Sequence, residues 1–476
     1  MPDKKEFSVA VVGGGLVGSL AAVYFANRGW TVTVYELRED IRTVKQSSGR
    51  SINLALSQRG ISALEGAGVG KGLFETLIPM KGRMLHVGGG LTSQNYGYFG
   101  EAINSVDRKL VNQHLLNMAE KNKNVTLKFQ YEVLSIDFDK KVLSFKKPDG
   151  TVIKATADLI VGTDGAFSRV RRELQRVTRM NFMQEYIDHA YVELNMPPSV
   201  SGEYQMDPGH LHIWPRQSFM MIALPNIDKS FTVTLFMPWS NFEAIKTPQH
   251  LLTFFEAKFP DSITLIGKEL LVKDFFKNPK GSLMTVKCKP YHYKASCVIL
   301  GDAAHAMVPF YGQGMNCGFE DCIVLDEILT KHIGARGSTL GEKPTAEQIA
   351  KVLEEYSATR NPDAEAICDL ALNNYIEMRS SVTKLSYKLR KTLEGFLHRL
   401  FPSSVIPLYT MVSFSRIPYS KALSIHKARS NWYDFLGRVA GYSVVTVGLG
   451  AAAMYGMRSG GYKVLHGLIK VCPAHK

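Results

Sequence analysis

The N-terminal segment has a pattern of apolar and polar positions that predicts a strand, a helix and a second strand. Residues Phe7–Val12 form an almost continuous apolar run, which is typical of a buried strand. Residues Leu16–Arg28 are predicted to form a helix, and Thr31–Tyr35 alternates in the manner of a strand. A parallel βαβ unit is therefore expected at this end of the chain.

Further segments of the same kind recur on both sides of a long stretch of different character. They are helices at Asp107–Glu120 and Gly318–Leu329, and strands within Leu127–Phe145, at Leu159–Val161 and at Val298–Leu300. From Tyr186 to Val286 the chain is instead rich in aromatic and strand-forming residues with scattered prolines. We expect an α/β nucleotide-binding fold that is interrupted by an inserted antiparallel β-sheet.

These changes of pattern predict four regions. The first is a discontinuous α/β domain, 1–182 and 286–335, and the second is the inserted sheet, 183–285. A helical region, 336–430, is expected to follow, because few strand signals occur there. The fourth region is a C-terminal tail, 431–476.

The net charge of +14 would suggest nucleic-acid binding only if the basic residues were clustered on a folded domain. The chain from Lys421 onward holds eight Lys or Arg and one acid, Asp434, and so carries +7, half of the excess. The remaining charge is diffuse, and we expect no nucleic-acid partner. The six cysteines include no CxxC pair, so we predict no metal site and no disulfide framework, in a reducing compartment.

A glycine-rich turn between the first strand and helix is the first sign of chemistry. Gly13, Gly15 and Gly18 form a GxGxxG pattern, which permits a tight turn, close approach to a pyrophosphate and close helix packing. The pattern alone is weak, because a chain with 40 glycines gives about 0.3 such matches by chance. Its position, with Glu36 ending the second strand as a ribose acceptor, predicts a dinucleotide site. These residues do not distinguish NAD from FAD.

Two later segments do distinguish them, namely Gly162–Arg171, which reads GTDGAFSRVR, and Gly301–Asn316, which reads GDAAHAMVPFYGQGMN. Both resemble signatures of the single-component FAD-dependent aromatic hydroxylases. The resemblance implies a Rossmann-like FAD-binding domain of the p-hydroxybenzoate hydroxylase type, with Asp164 near the pyrophosphate and Asp302 on the flavin ribityl chain. Independently, the helix start at the end of the second segment offers free N–H groups, which stabilise negative charge such as that of a reduced flavin.

A narrower resemblance, to the branch of this family that hydroxylates kynurenine, covers nearly all of the chain before the tail. Its segments are Gly49–Ser57, Leu211–Pro215, Met220–Pro225, Asn374–Arg379 and Ile406–Met411. It implies noncovalent FAD, NADPH and O2 as cosubstrates, and L-kynurenine as substrate. The implied cofactor contacts are Gly13, Gly15, Val17, Gly18, Tyr35, Glu36, Leu37, Arg38, Ala55, Arg108, Val133, Asp164, Arg169, Asp302, Met315 and Asn316.

The same resemblance implies substrate contacts whose chemistry suits kynurenine. A guanidinium can bind the α-carboxylate with two parallel hydrogen bonds, and the aminophenyl ketone suits a dry apolar slot. The implied contacts are Arg83, Tyr96, Asn374 and Tyr409, with apolar walls from Leu211, Ile222, Leu224, Phe236 and Phe310. Tyr98 is an alternative to Tyr96, because the family varies in length after the arginine.

The implied reaction converts L-kynurenine to 3-hydroxykynurenine through a flavin C4a-hydroperoxide, as a step of tryptophan degradation and NAD biosynthesis. The substrate's own amino group activates the ring carbon, so no catalytic protein base is required, although Glu377 could assist proton movement. Two alternatives stay open. One is a flavin hydroxylase of another aromatic, such as a quinone precursor, and the other is a non-enzymatic flavin-fold binding protein.

The tail contains a segment, Val439–Met457, without any charged side chain. At about 1.5 Å per helical residue it is just long enough to approach bilayer thickness. Basic residues flank it on both sides, namely Arg429, Arg438, Arg458 and Lys463. The pattern resembles tail anchors of the mitochondrial outer membrane, so we predict a transmembrane anchor with the catalytic domain facing the cytosol. The alternative interpretation is a buried helix packed on the folded body.

Overall fold

The structure is a computed structural model that describes residues 6–44, 53–336, 343–380 and 385–432. The chain divides into two units, Met1–Ser420 and Lys421–Lys476. The apolar segment at 439–457 lies outside the described residues, as do the first four residues of the segment 49–57. Among the helices of the described ranges, none combines the length and the apolar character of a bilayer-spanning segment.

The first unit contains runs of consecutive strands separated by single helices or by groups of helices. The strands are β1 Ser8–Val12, β2 Thr31–Glu36, β3 Asn53–Leu56, β4 Ile78–Met80, β5 Gly82–Val87, β6 Gly90–Asn95, β7 Ile103–Asp107, β8 Val125–Phe129, β9 Glu132–Asp137, β10 Val142–Lys146, β11 Val152–Thr156, β12 Leu159–Gly162, β13 Asn181–Met196, β14 His210–Arg216, β15 Phe219–Pro225, β16 Phe231–Pro238, β17 Gly281–Lys289, β18 His292–Tyr293 and β19 Cys297–Ile299. The helices are α1 Leu16–Ala26, α2 Gln58–Ala67, α3 Arg108–Glu120, α4 Arg169–Val177, α5 Trp239–Ala244, α6 Pro248–Lys258, α7 Pro260–Ile266, α8 Lys268–Lys277, α9 Asp302–His305, α10 Gly314–Ile333, α11 Ala346–Ser380, α12 Leu385–Leu400 and α13 Leu408–Ser413.

The nucleotide-binding layer is a six-stranded sheet in the order β18, β19, β12, β1, β2, β8. β1 pairs in parallel with β2 and with β12, which confirms the predicted α/β fold. Val11, Val32 and Ile160 are fully buried in the core that this sheet shares with its helices. Because parallel neighbours end at one edge, the turns after β1, β12 and β19 meet there.

The second layer is a seven-stranded sheet in the order β17, β13, β16, β15, β14, β5, β6. Two of its strands, β5 and β6, come from residues 82–95, which lie outside the range 183–285 predicted for this sheet. β5 joins through a parallel pairing with β14, whereas the other pairings in this sheet are antiparallel. One face buries Trp214 and Phe231 in a core with residues of α5–α8 such as Phe255. The opposite face therefore remains available to the nucleotide-binding layer.

The elements described after α10, within 343–380 and 385–432, are helices, in the range 336–430 where the sequence predicts a helical region. α11 runs from Ala346 to Ser380 and α12 from Leu385 to Leu400, and the short α13 follows at Leu408–Ser413. α11 is tied to the nucleotide-binding layer by Asn374, whose Nδ2 donates to the carbonyl oxygen of Phe310 at 2.7 Å. This contact brings the helical region to the edge where the two sheets meet.

Candidate functional site

The turn after β1 allows a close approach of the backbone. Gly13 has a φ of +106°, and a Cβ there would lie 2.5 Å from the carbonyl oxygen of Thr163, so only glycine fits. A Cβ at Gly18 would lie 1.9 Å from the carbonyl oxygen of Gly13, which requires glycine for packing of α1 on the turn. A Cβ at Gly15 would meet no protein atom within 4 Å. The turn is therefore open at Gly15, where the motif admits a pyrophosphate.

Glu36 closes the turn from the neighbouring strand. Its Oε2 accepts a hydrogen bond from the N–H of Gly14 at 2.7 Å, and its Oε1 accepts one from the N–H of Arg38 at 2.9 Å. The carboxylate thus stands at the end of β2 beside the glycine turn. That is the position from which such an acid reaches an adenosine ribose.

Three other predicted cofactor contacts, Tyr35, Val133 and Leu37, lie in different surroundings. Tyr35 is buried and stacks on Phe145, with ring centroids 4.0 Å apart. Val133 pairs with the same Phe145 across β9 and β10, so it belongs to the same apolar patch. Leu37 is instead exposed over 62% of its surface. The structure therefore groups Tyr35 with Val133 and leaves Leu37 at the surface.

Asp164 and Arg169 lie together, but their side chains bind protein groups. Asp164 accepts hydrogen bonds from the N–H groups of Arg169 at 2.6 Å and Val170 at 3.0 Å, and from the hydroxyl of Ser168. Burial raises the pKa of Asp164, although these hydrogen bonds oppose the shift. Arg169 donates to the carbonyl oxygen of Leu134 at 2.6 Å. The side chain of Asp164 thus fixes this turn and caps α4.

Asp302 differs from Asp164 because its carboxylate is exposed. It accepts no hydrogen bond from the described part of the chain. The preceding Gly301 has a φ of +59°, and a Cβ there would lie 2.9 Å from Cγ2 of Val17. This close packing places the Gly-Asp turn directly beside the glycine turn of α1. An open carboxylate at this point suits a ligand that carries hydroxyl groups.

The start of α10 is fixed against β3 by one buried side chain. Asn316 Nδ2 donates to the carbonyl oxygens of Ala55 and Gly312, both at 2.8 Å, and Asn316 Oδ1 accepts from the N–H of Ser57 at 2.9 Å. The amide of Asn316 is therefore used within the protein. The groups left for contact with a cofactor are the backbone N–H groups of the first turn of α10, including that of Met315. These groups have no partner within the helix.

Arg108, the first residue of α3, is exposed and lies close enough to β13 to interact electrostatically with Tyr191 and Glu193. Burial raises the pKa of Glu193 on β13 to about 7, and the guanidinium of Arg108 partly opposes this shift. Arg108 therefore lies between the nucleotide-binding layer and the sheet. Together with the open turn at Gly15, the exposed Asp302 and the α10 start, this donor set fits a flavin dinucleotide.

Arg83, Tyr96 and Tyr409 converge although the second tyrosine is distant in sequence. The guanidinium carbon of Arg83 lies 5.6 Å from the ring centroid of Tyr96 and 4.9 Å from that of Tyr409. The two rings stack with centroids 5.1 Å apart. Burial raises the pKa of both phenols, and Arg83 opposes the shift in each case. Both hydroxyls therefore stay protonated near neutral pH, beside a cation.

The predicted apolar walls share one face of the second sheet. Leu211 pairs directly with Arg83, Ile213 pairs with Ile222, and side chains two residues apart on a strand point the same way. Leu224 and Phe236 follow on the same face by this register. The Phe236 ring lies 5.0 Å from that of Phe310 across the two layers. An apolar wall thus continues from the cationic end to the second glycine-rich segment.

Asn374 is buried at the site's edge, and its amide donates to the carbonyl oxygen of Phe310. Glu377 is half-buried nearly one helical turn further along α11. Tyr98 does not join Tyr96, because the Tyr98 ring packs against His398 of α12, with centroids 5.9 Å apart. The structure thus brings Tyr96, rather than Tyr98, beside Arg83.

Two aromatic residues beside this cluster were not predicted from the sequence. The Tyr311 ring stacks on Tyr409 with centroids 5.6 Å apart, and the Phe414 ring lies 6.0 Å from Tyr409. Tyr311 lies inside the segment Gly301–Asn316, so its position in that motif was an available signal. Phe414 follows α13 directly and carried no signal beyond its proximity to Tyr409.

Comparison with known proteins places this geometry in a family. The family profile described as "FAD binding domain" matches residues 6–371. The kynurenine 3-monooxygenase of Anopheles gambiae is 50% identical over 448 residues, which cover 93% of this chain and 89% of that protein. The enzyme of the same name from Sus scrofa is 46% identical over 88% of this chain and 87% of its own length. That from Candida albicans is 43% identical over 96% and 97%.

Solved structures share the fold at much lower sequence identity. A tetrameric form of 2-methyl-3-hydroxypyridine-5-carboxylic acid oxygenase matches with a TM-score of 0.62 at 19% identity, over 80% of this chain and 94% of that chain. Pseudomonas aeruginosa PqsL in complex with 2-aminobenzoylacetate matches with a TM-score of 0.62 at 18% identity, over 79% and 97%. At these identities the similarity defines the fold alone.

Proposed function

We propose roles for the residues of this site from one premise, which is that the chain belongs to the kynurenine 3-monooxygenase family of FAD-binding enzymes. It is accordingly an NADPH-dependent FAD monooxygenase that hydroxylates kynurenine. The observation that carries the assignment of substrate residues is the convergence of Arg83 with Tyr96 and Tyr409 at one end of an apolar wall.

We assign the cofactor roles by distinguishing the groups that are accessible to a ligand from those whose hydrogen bonds are made to other protein groups. FAD supplies the redox and oxygen chemistry when it is bound. Gly15 leaves room for the pyrophosphate, Glu36 receives the ribose, and Asp302 accepts hydrogen bonds from the ribityl hydroxyls. The first turn of α10 presents N–H groups to the flavin, with Asn316 holding that turn in place. These donors favour negative charge and need no rearrangement when charge develops.

The substrate roles divide the site into a polar end and an apolar slot. Arg83 binds the α-carboxylate of kynurenine with two parallel hydrogen bonds. Tyr96 and Tyr409, which burial keeps protonated, donate hydrogen bonds at the same end. The apolar face that includes Ile222 and Phe236 receives the aromatic ring and excludes water.

Proton movement requires no strong base among these residues, because the amino group of kynurenine already activates the neighbouring ring carbon. The side-chain amide of Asn374 donates a hydrogen bond to the carbonyl oxygen of Phe310. This contact holds the Phe310 turn in place and so shapes the apolar slot for the substrate ring. Glu377, on the same helix and half-buried, is the group proposed to assist proton transfer at the edge of the site.

The purified holoenzyme tests this proposal directly. NADPH consumption is measured with and without kynurenine, and the product is identified by mass spectrometry. We expect kynurenine to stimulate NADPH consumption and to be recovered as its 3-hydroxy derivative. Equal consumption in both cases with only hydrogen peroxide formed, or preferred turnover of an aromatic without a carboxylate, would contradict the assigned substrate site.

Membrane attachment through the tail remains a proposal from the sequence. The apolar segment at 439–457, flanked by basic residues, supports an anchor in the mitochondrial outer membrane. A chain that ends at Ser430 should lose membrane association and keep FAD. Alkali-resistant pelleting of this shortened chain with mitochondrial membranes, at the level of the full chain, would show that the segment is not the anchor.

A further inference from the structure

One fully buried carboxylate holds both ends of the short turn that presents Asp302. Asp321 Oδ2 accepts a hydrogen bond from the N–H of Gly301 at 2.8 Å and another from Nε2 of His305 at 2.6 Å. Gly301 precedes α9 and His305 is its last residue, while Asp302 is its first. The position of the open carboxylate of Asp302 therefore depends on a fully buried side chain of α10.

Two arginines continue this contact through the protein interior. Arg360 on α11 donates from Nε to Asp321 Oδ1 at 2.9 Å and forms an ion pair with Glu320 at 3.0 Å. Glu320 also pairs with Arg59 on α2, at 2.6 Å. Their side chains are at most 4% exposed, so water screens these interactions little. We call Arg59, Glu320, Asp321 and Arg360 the buried ion network.

The far end of the buried ion network binds the helix that carries Tyr409. Arg59 Nε donates to the carbonyl oxygen of Val412 at 2.8 Å, and its second terminal nitrogen donates to the carbonyl oxygen of Met411 at 3.3 Å. It also donates to the carbonyl oxygen of Ile417. The last carbonyl groups of a helix have no intrahelical partner, and a cation there is favourable. Arg59 thus fixes the C-terminal end of α13, close to Tyr409.

The charges around the buried ion network balance when His305 is protonated. Burial opposes a charge on His305, but Asp321 and Cys317 raise its pKa well above the ordinary value. His305, Arg59 and Arg360 then face Glu320, Asp321 and Asp363, the last at 3.4 Å from Arg360. Three cations therefore meet three anions inside the protein.

A metal ion is not needed to explain this cluster. His305, Cys317 and Asp321 are spaced as metal ligands could be. However, Arg360 already donates to Asp321 and to Sγ of Cys317, the latter at 3.3 Å. A guanidinium therefore supplies the positive charge that a metal would bring.

Buried ion pairs contribute little net stability compared with well-packed apolar residues, so stability alone does not explain a cluster of five such pairs. We propose that Glu320, through Arg59 and Arg360, is a positioning residue that holds the Asp302 turn and the Tyr409 helix in one arrangement, so that FAD and kynurenine reinforce each other's binding. The inference rests on the functions proposed above for Asp302 and Tyr409. Glu320 itself lies in neither binding site.

The test uses Glu320→Gln in the full-length holoenzyme, with Asp326→Asn as matched control. Asp326 is a third buried carboxylate of α10, and it pairs with Arg28 at 2.7 Å and with Arg336 at 2.6 Å rather than with a residue of the buried ion network. The FAD dissociation constant is measured by flavin fluorescence with and without saturating kynurenine. We expect kynurenine to tighten FAD binding about tenfold in the native chain and in the control, and by less than about twofold in Glu320→Gln.

The outcomes separate this inference from the proposed function. If kynurenine is bound and hydroxylated but never alters FAD affinity, the coupling is absent and the inference is wrong. It is equally wrong if Glu320→Gln lowers only the melting temperature and keeps the native coupling. If kynurenine does not bind to the native chain, the proposed substrate site is wrong and the coupling through Tyr409 is refuted with it.

A second variant keeps the test decisive if Glu320→Gln does not fold. Arg59→Lys retains a cation for Glu320 but lacks the planar group that reaches three carbonyl oxygens at once. We expect this variant to keep FAD in the absence of kynurenine and to lose most of the coupling. Native coupling in a folded Arg59→Lys protein would overturn the role given to the α13 carbonyl contacts.

Discussion

Replacing Arg83 by alanine should weaken kynurenine binding strongly while leaving FAD in place. Arg83 is only 7% exposed, so its interaction with a carboxylate is little screened by water. Losing a hydrogen bond to a charged partner costs about 1.5 to 3 kcal/mol, and burial favours the upper part of that range. About 2 to 3 kcal/mol corresponds to a dissociation constant raised roughly 30- to 150-fold.

Some affinity should survive in the Arg83→Ala protein. The phenols of Tyr96 and Tyr409 remain protonated and can still donate hydrogen bonds, because burial rather than Arg83 raises their pKa values. Arg83→Lys should restore only part of the affinity, since an ammonium group lacks the planar pair of donors. Lys81→Ala is the matched control, because Lys81 is an exposed cation two residues earlier in the chain.

The assay is a titration of the oxidised holoenzyme with kynurenine, followed through the flavin absorbance, with steady-state NADPH consumption as a second measurement. FAD content is determined for each variant from the protein and flavin absorbances. An unchanged kynurenine dissociation constant in Arg83→Ala, at native FAD content, would remove Arg83 from the substrate site. Loss of FAD together with substrate affinity would show instead that Arg83 supports the structure.

Three further predictions concern the cofactor turns and the interior of the sheet. Asp302→Ala should weaken FAD binding about tenfold, with less change in kynurenine affinity, and equal FAD affinity in equilibrium dialysis would contradict this. Gly15→Ala should lower FAD retention but leave the melting temperature of the apoprotein unchanged, whereas Gly18→Ala should lower that temperature, because only the second Cβ meets protein atoms. Burial lowers the pKa of His212 to about 4, so folding stability should decrease as the pH falls from about 6.5 to about 4. In His212→Asn this slope, measured by urea unfolding, should be shallower, and an equal slope in both proteins would refute the assignment.

The parts of the fold that the sequence predicts well are those whose pattern is local. β1 and α1 are continuous apolar segments on either side of a glycine-rich turn, and β2 alternates, so each of these elements is indicated by its own residues. The pairing of β5 with β14 is different, because a parallel register joins segments more than 100 positions apart. Nothing in residues 82–95 alone indicates which sheet they complete.

The substrate cluster could be predicted only through family resemblance. Arg83 and Tyr409 are more than 300 positions apart, and each residue type on its own is more often a surface charge or a packed ring. The structure adds a physical reason for the grouping, because Leu211 pairs directly with Arg83 and carries the apolar wall up to the cation. The structure also distinguishes the two tyrosines, because Tyr96 lies beside Arg83 and Tyr98 packs against His398. Their order in the chain does not indicate which ring lies in the site.

The buried ion network could not be predicted from the sequence. Arg59 and Arg360 lie in helices where an arginine is expected to face water, since burying an unpaired guanidinium is very unfavourable. The cost of burying these two arginines is offset only when partners from remote segments are in place. Glu320 is 261 positions from Arg59, and the carbonyl of Val412 is 353 positions away. Because every partner must be in place at once, such a network constrains the relative positions of α2, α10, α11 and α13. A change in one contact therefore alters the other contacts.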